Sequence, residues 1–184
     1  MKVYEKLDDR IIKFIEKQKM FFVATAPLSG DGHVNLSPKG YDAFKVIDEN
    51  TVAWLDLGGS GIETQAHVQE NGRMTIMFCA FEGPANILRL YGTGEVINIH
   101  DEGFDEMLSM FPNFDRARGI FKVKISRVQD SCGWGVPFYE FKSERDQLTR
   151  YIDNKSKEEW IESRYVKNSE SIDGLTGLVR EEDA

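Results

Sequence analysis

Short blocks of strand formers bounded by turn residues set the pattern of this chain, with helical spacing at intervals between them. Leu7, Ile11, Phe14 and Ile15 recur at helical spacing within Tyr4 to Gln18, with Lys, Glu and Asp opposite, which predicts an amphipathic helix over a core. Met20 to Ala26 is apolar, Pro27 to Gly32 is dense in turn residues and His33 to Ser37 alternates, so the three predict a hairpin. Phe44 to Ile47 and Thr51 to Leu57, joined by Asp48-Glu49-Asn50, predict a second hairpin. Arg73 to Phe81 and Asn86 to Ile99 read as further strands, and Gly92 and Gly94 inside the latter fit the bend of a closing barrel. Gly119 to Gln129 alternates Ile120, Lys122 and Lys124 against Phe121, Val123 and Ile125, a half-exposed strand near the end of the sheet. Asp101 to Met110 predicts a short helix; Ser143 to Asn154 and Ser156 to Lys167 predict two polar ones. The expected fold is mainly β with flanking helices, a barrel domain over residues 1–142 followed by a helical extension and tail over 143–184.

Two stretches stand out against this pattern. In His33 to Gly40, Val34 and Leu36 share one face, while His33, Asn35 and Ser37 share the other. Pro38 cannot donate a ladder hydrogen bond, so pairing stops or the strand lies at an edge, and Lys39 places a cation at its lip. A solvated lysine on an edge strand fits the same residues. In Gly58-Gly59-Ser60-Gly61-Ile62-Glu63-Thr64, Ser60 and Glu63 have capping-box spacing, which predicts a helix from Gly61 that stops at Asn71-Gly72. A glycine-rich approach to a helix start exposes backbone N–H groups to an anion such as phosphate. A tight turn that holds nothing needs the same glycines.

The chain has 184 residues and a hydrophobic content of 41%, enough for one domain with a terminal elaboration. Its net charge of -8 disfavours non-specific nucleic-acid binding, although a local basic pocket is compatible with that total. No apolar run has transmembrane length and Met1 to Arg10 has no signal core, so a cytoplasmic protein away from the membrane is expected.

The side-chain chemistry narrows the classes. His33, His67, His100, Cys79 and Cys132 are scattered without metal-ligand spacing, so no metal site is expected. Cys132 has no charged neighbour in sequence to activate its thiol, and no Gly-x-Ser-x-Gly turn occurs. Gly58-Gly59-Ser60-Gly61 is neither a Rossmann fingerprint nor a Walker loop. A flavin asks less of side chains, because the ring carries the chemistry. It needs phosphate donors, hydrogen bonds to its pyrimidine edge and an apolar wall, which Ser60 to Thr64, Ser37 with Lys39, and Trp134 can supply, although a lone Trp134 fits ordinary core as well.

Four blocks carry a family resemblance: His33-Val-Asn-Leu-Ser-Pro-Lys-Gly40, Gly58-Gly-Ser-Gly-Ile-Glu-Thr64, Arg73-Met-Thr-Ile-Met-Phe78 and Arg89-Leu-Tyr-Gly-Thr-Gly94. In this order they resemble the pyridoxamine 5'-phosphate oxidase-like, FMN-binding split-barrel family. Ser131-Cys-Gly-Trp-Gly-Val-Pro137 and the Ser-Ile-Asp-Gly-Leu tail resemble one subgroup. The resemblance implies a six-stranded Greek-key split barrel and a homodimer with cofactor sites at the interface. It places Asn35, Ser37 and Lys39 along the flavin, Ser60, Gly61 and Thr64 at its phosphate, and Arg89 toward a substrate anion. Ile62-Glu63-Thr64 stands where the vitamin B6 oxidases carry a basic pair, and their substrate-binding C-terminal segment is replaced by the Ser-Ile-Asp-Gly-Leu tail.

The expected function is that of an FMN-dependent oxidoreductase on a small molecule. The alternatives are a non-catalytic flavin-binding or stress-response module and, disfavoured, pyridoxamine 5'-phosphate oxidase itself. A deazaflavin or haem are the alternative cofactors.

Overall fold

A computed structural model describes residues 1–180 of the chain. Its strands are β1 (Lys2–Tyr4), β2 (Phe21–Thr25), β3 (Asn35–Lys39), β4 (Phe44–Asp48), β5 (Thr51–Asp56), β6 (Arg73–Cys79), β7 (Ile87–Asn98) and β8 (Gly119–Ser131). The helices are α1 (Asp9–Lys17), α2 (Glu63–Asn71), α3 (Phe104–Ser109), α4 (Gln147–Asp153) and α5 (Lys157–Lys167). The pairing is antiparallel throughout, in the order β3-β2-β6-β7-β8-β5-β4, so β3 and β4 end the path.

The expected six strands are eight among the described residues. One addition is β1, at the start of the predicted first helix. Tyr4 pairs with Val128, and its hydroxyl donates to Asp130 Oδ2 at 2.6 Å, so the chain leaves β8 before it turns helical. The helix proper begins after Asp8, whose carboxylate accepts from the Ile11 N–H at 2.8 Å. Its Ile11 and Ile15 are buried, with Leu7 just ahead of it.

β8 is central, not near the end of the sheet as its alternation suggests. β7 lies along one side, while β5 and then β1 share the other. The lysines that suggest half-exposure lie between both neighbours: Lys122 is opposite Ala53 of β5 and pairs with Glu95 of β7 at 3.1 Å. The β7–β8 register shifts between Tyr91 and Gly92, leaving Ser126 without an opposite residue. At this bend a Cβ on Gly92 would lie 2.9 Å from Val123 Cγ1, the close approach that its glycine permits.

The main core lies within this sheet and under α1. Trp54 stacks on Phe121 with centroids 4.6 Å apart, and Phe21, Phe44 and Phe78 pack edge-on or tilted around each other. A second cluster joins Leu55, Leu57 and Ile120 to Phe104, Leu108 and Phe111 of the α3 region. No helix among the described residues is long and apolar enough to cross a membrane.

α2 stops as predicted, with Gly72 at φ 70 donating its N–H to Val68 O. Its start differs. Ile62, not Ser60, precedes the first helical residue, and no side chain caps it. α4 is shorter than expected, whereas α5 begins with a complete Ser156/Glu159 capping box.

Candidate functional site

The site is built where edge strand β3, the α2 start and the C-terminal segment meet. Cross-strand partners share a face, so the rows Asn35–Thr25–Met74, Ser37–Val23–Ile76 and Lys39–Phe21 place Asn35, Ser37 and Lys39 on the core side of the sheet. The polar face of β3 therefore turns inward. Its apolar face turns out, with Val34 75% and Leu36 62% exposed.

The inward polar groups form one network. Asn35 Nδ2 donates to Thr64 Oγ1 at 2.9 Å and reaches Thr25 Oγ1 at 3.4 Å. Ser37 Oγ donates to Asn35 Oδ1 at 3.2 Å. Thr25 Oγ1 lies 3.0 Å from His67 Nδ1. His67 is fully buried, and its Nε2 has no hydrogen-bond partner among the described residues. Burial holds the His67 pKa below the ordinary histidine value of 6.5. In the window between the folded and unfolded values the unfolded chain binds more protons, so stability falls as pH drops below about 6.5. His67→Gln should flatten that slope, measured as urea midpoints between about pH 5 and 7.

The loop before α2 is held from beneath. Arg118 Nη2 contacts Asp56 Oδ2 at 2.7 Å with both side chains 5% exposed, and Arg118 Nη1 donates to Gly61 O at 2.8 Å. Gly58 N–H donates to Asp56 Oδ1 at 3.0 Å. Burial would raise the Asp56 pKa, but the Arg118 and Lys39 charges outweigh it and hold the carboxyl below its ordinary value. From α5, Arg164 Nη1 donates to Gly59 O at 3.2 Å, and Asn168 Nδ2 reaches Gly59 O at 3.5 Å and Ser60 O at 3.4 Å. The three carbonyls of Gly59, Ser60 and Gly61 are thus all taken by cations or an amide of the protein. The N–H groups of Gly59, Ser60, Gly61 and Ile62 donate to no acceptor among the described residues. Ser60 does not cap: Ile62 holds the N-cap position, the Ser60 carbonyl faces Asn168, and the Glu63 carboxylate lies toward Gly61.

The tail closes the other side. Asp173 accepts from His33 N–H at 2.7 Å and lies 2.6 Å from His33 Nδ1. These bonds hold its carboxyl below the ordinary range.

Asn35, Ser37 and Thr64 are hence brought together, Lys39 lies close enough to act on Asp56, and Ser60 and Gly61 form the exposed lip. Arg89 is not with them. The row Arg89–Met77–Phe22–Pro38 lies on the outer face, and Arg89 Nη1 donates to Ser131 Oγ at 3.1 Å. Trp134 is 86% exposed and makes no ring contact within the described residues. Sequence reasoning missed Asp56, Arg118, Arg164 and Asn168. A buried pair such as Asp56–Arg118, 62 positions apart, leaves no local spacing signal.

Comparison with known proteins agrees with this architecture. The family description pyridoxamine 5'-phosphate oxidase matches residues 7–132. A pyridoxamine 5'-phosphate oxidase family protein of Aspergillus flavus, ustO, is 36% identical over 193 residues, covering 95% of this chain and 77% of its own. HupZ of Group A Streptococcus superposes with a TM-score of 0.57 at 17% identity, over 73% of this chain and 99% of that one. A pyridoxamine 5'-phosphate oxidase candidate from Lactobacillus delbrueckii gives 0.53 at 15% identity, over 70% and 99%. The mainly β split-barrel class is thereby shown, with β3 and β4 as the ends of its sheet.

Proposed function

Because the chain belongs to the pyridoxamine 5'-phosphate oxidase family, we propose that it is an FMN-binding flavoprotein, an oxidoreductase acting on a small molecule in the cytoplasm. The observation that carries this reading is the loop at Gly59 to Ile62, with its carbonyls tied down and its N–H groups unpartnered beside a helix start. That arrangement suits a phosphate. Next to it, Asn35, Ser37 and Lys39 offer donors and acceptors for the polar edge of a flat ring. FMN, when bound, supplies hydride transfer at its ring. The chain's own part is to hold and orient it: Ser60, Gly61 and Thr64 at the phosphate, and Lys39 as a cation near the ring.

The outward Val34 and Leu36, joined by the half-buried Phe22 and Met77 on the same face, favour a homodimer through the β3 side of the sheet. Trp134, exposed in the single chain, is the candidate apolar wall for the ring, and Arg89, on the outer face, a contact for a substrate anion. Glu63 in the first turn of α2, where the vitamin B6 oxidases carry basic residues, speaks against pyridoxamine phosphate as substrate.

Lys39→Ala should weaken FMN binding by about tenfold in a fluorescence titration, the loss of one charged hydrogen bond. An unchanged affinity removes Lys39 from the site. The second reading, a flavin-binding module without turnover, is favoured if the loaded protein is not reduced by NADH or NADPH.

A further inference from the structure

A concavity lies apart from the loop before α2. It is a groove of about 1420 Å³ between α1, the Gly40–Tyr41 corner, the β6–β7 turn and a strap formed by residues 139–145. That volume exceeds the roughly 300–1,000 Å³ typical of small-molecule sites.

The strap is fixed in place. Tyr139 N–H donates to Phe81 O at 3.0 Å, and Phe141 N–H donates to Glu82 Oε1 at 3.2 Å. The Phe81 and Tyr139 rings lie 5.5 Å apart. Tyr41 donates its hydroxyl to Arg145 O at 2.8 Å, and it does so from φ 61, the one positive φ of a non-glycine residue among the described residues. An L-residue adopts that conformation at a cost, which the corner and strap must hold. The groove presents aromatic surface: Phe141 is 44% and Tyr139 63% accessible.

The facing wall is cationic. Lys13 and Lys17, at i and i+4 on α1, share one exposed face, and Lys19 follows with its Nζ 5.6 Å from the Phe141 ring centroid. Like charges at that spacing disfavour the helix. Elsewhere in this acidic chain Lys6, Lys45 and Lys122 each sit against a carboxylate. Lys13, Lys17 and Lys19 form no such pair among the described residues. Asp9, Glu140 and Glu144 also line the groove without pairing to them, and the Glu82 carboxylate is engaged by the strap.

We propose that this groove binds an aromatic organic anion, its ring against Phe141 and Tyr139 and its anionic group against Lys13, Lys17 and Lys19. The proposal does not depend on the flavin reading. The probe is 1-anilinonaphthalene-8-sulfonate, titrated by fluorescence into the purified full chain, with uncharged N-phenyl-1-naphthylamine as its neutral counterpart. Saturable binding of the sulfonate is expected, weakened about tenfold by K13E/K17E with the neutral probe unaffected. Phe141→Ala should weaken both probes. Thermal midpoint and flavin content, measured on the same samples, should be those of the parent protein for K13E/K17E. Sulfonate affinity unchanged by K13E/K17E overturns the proposal. So does the absence of binding because a second copy of the chain covers the groove, read as a dimer that K13E/K17E dissociates.

Discussion

Arg118→Ala should lower the unfolding free energy by about 3–5 kcal/mol, because it leaves Asp56 buried and charged without its partner. Asp56 and Arg118 are each 5% exposed and meet at 2.7 Å, so the carboxylate left behind lies away from bulk solvent. The same substitution frees Gly61 O, which Arg118 Nη1 holds at 2.8 Å. Stability and site geometry can be separated by a double variant, Asp56→Leu with Arg118→Leu. Replacing both charges removes the desolvation problem, so most of the stability should return. The tie to Gly61 does not return, and flavin affinity should stay low. Urea unfolding together with a flavin titration reads both. The pair also sets an acid limit: Asp56 has its folded pKa below the ordinary 3.8. Its contribution is present above the unfolded value and is lost as pH falls through the folded one.

Arg164→Ala is the second large effect. Arg164 is 5% exposed, donates to Gly59 O at 3.2 Å and to Tyr151 Oη at 2.9 Å, and lies 5.7 Å from both the Trp160 and Tyr151 rings. Its removal takes the charged donor from the Gly59 carbonyl and the buried guanidinium from between Tyr151 and Trp160, a cost of about 2–3 kcal/mol. Flavin affinity should fall about tenfold as the loop loses one of its ties. Arg164→Lys should not restore it, because a single ammonium cannot reach two acceptors on separate elements while covering an indole. Wild-type flavin affinity in Arg164→Ala would show that α5 has no part in positioning the loop.

How far the sequence revealed these features depends on their range. The α2 stop at Gly72, the β2–β3 hairpin and the α5 capping box rest on contacts within a few residues, so local patterns disclosed them. The alternation in His33 to Ser37 separated polar from apolar face correctly. It could not say that the polar face turns inward, because that depends on Thr25 and Thr64 being there to receive Asn35. The place of β8 was misjudged for a similar reason. Lys122 and Lys124 suggest an edge, whereas the strand lies between β7 on one side and β5 with β1 on the other. The same limit applies to the Ser60 cap, since the Ser60 carbonyl meets Asn168, 108 positions away. Arg89 and Lys39 fall in neighbouring motif blocks, yet the register rows set them on opposite faces of the sheet. Only the pairing partners of each strand could reveal that.

The most direct measurement is the absorbance spectrum of the purified protein after FMN is added, with the bound cofactor released and identified by mass. An FMN for each chain, retained through gel filtration and weakened by Lys39→Ala, is the expected result. A colourless protein that retains no flavin would contradict the proposed function.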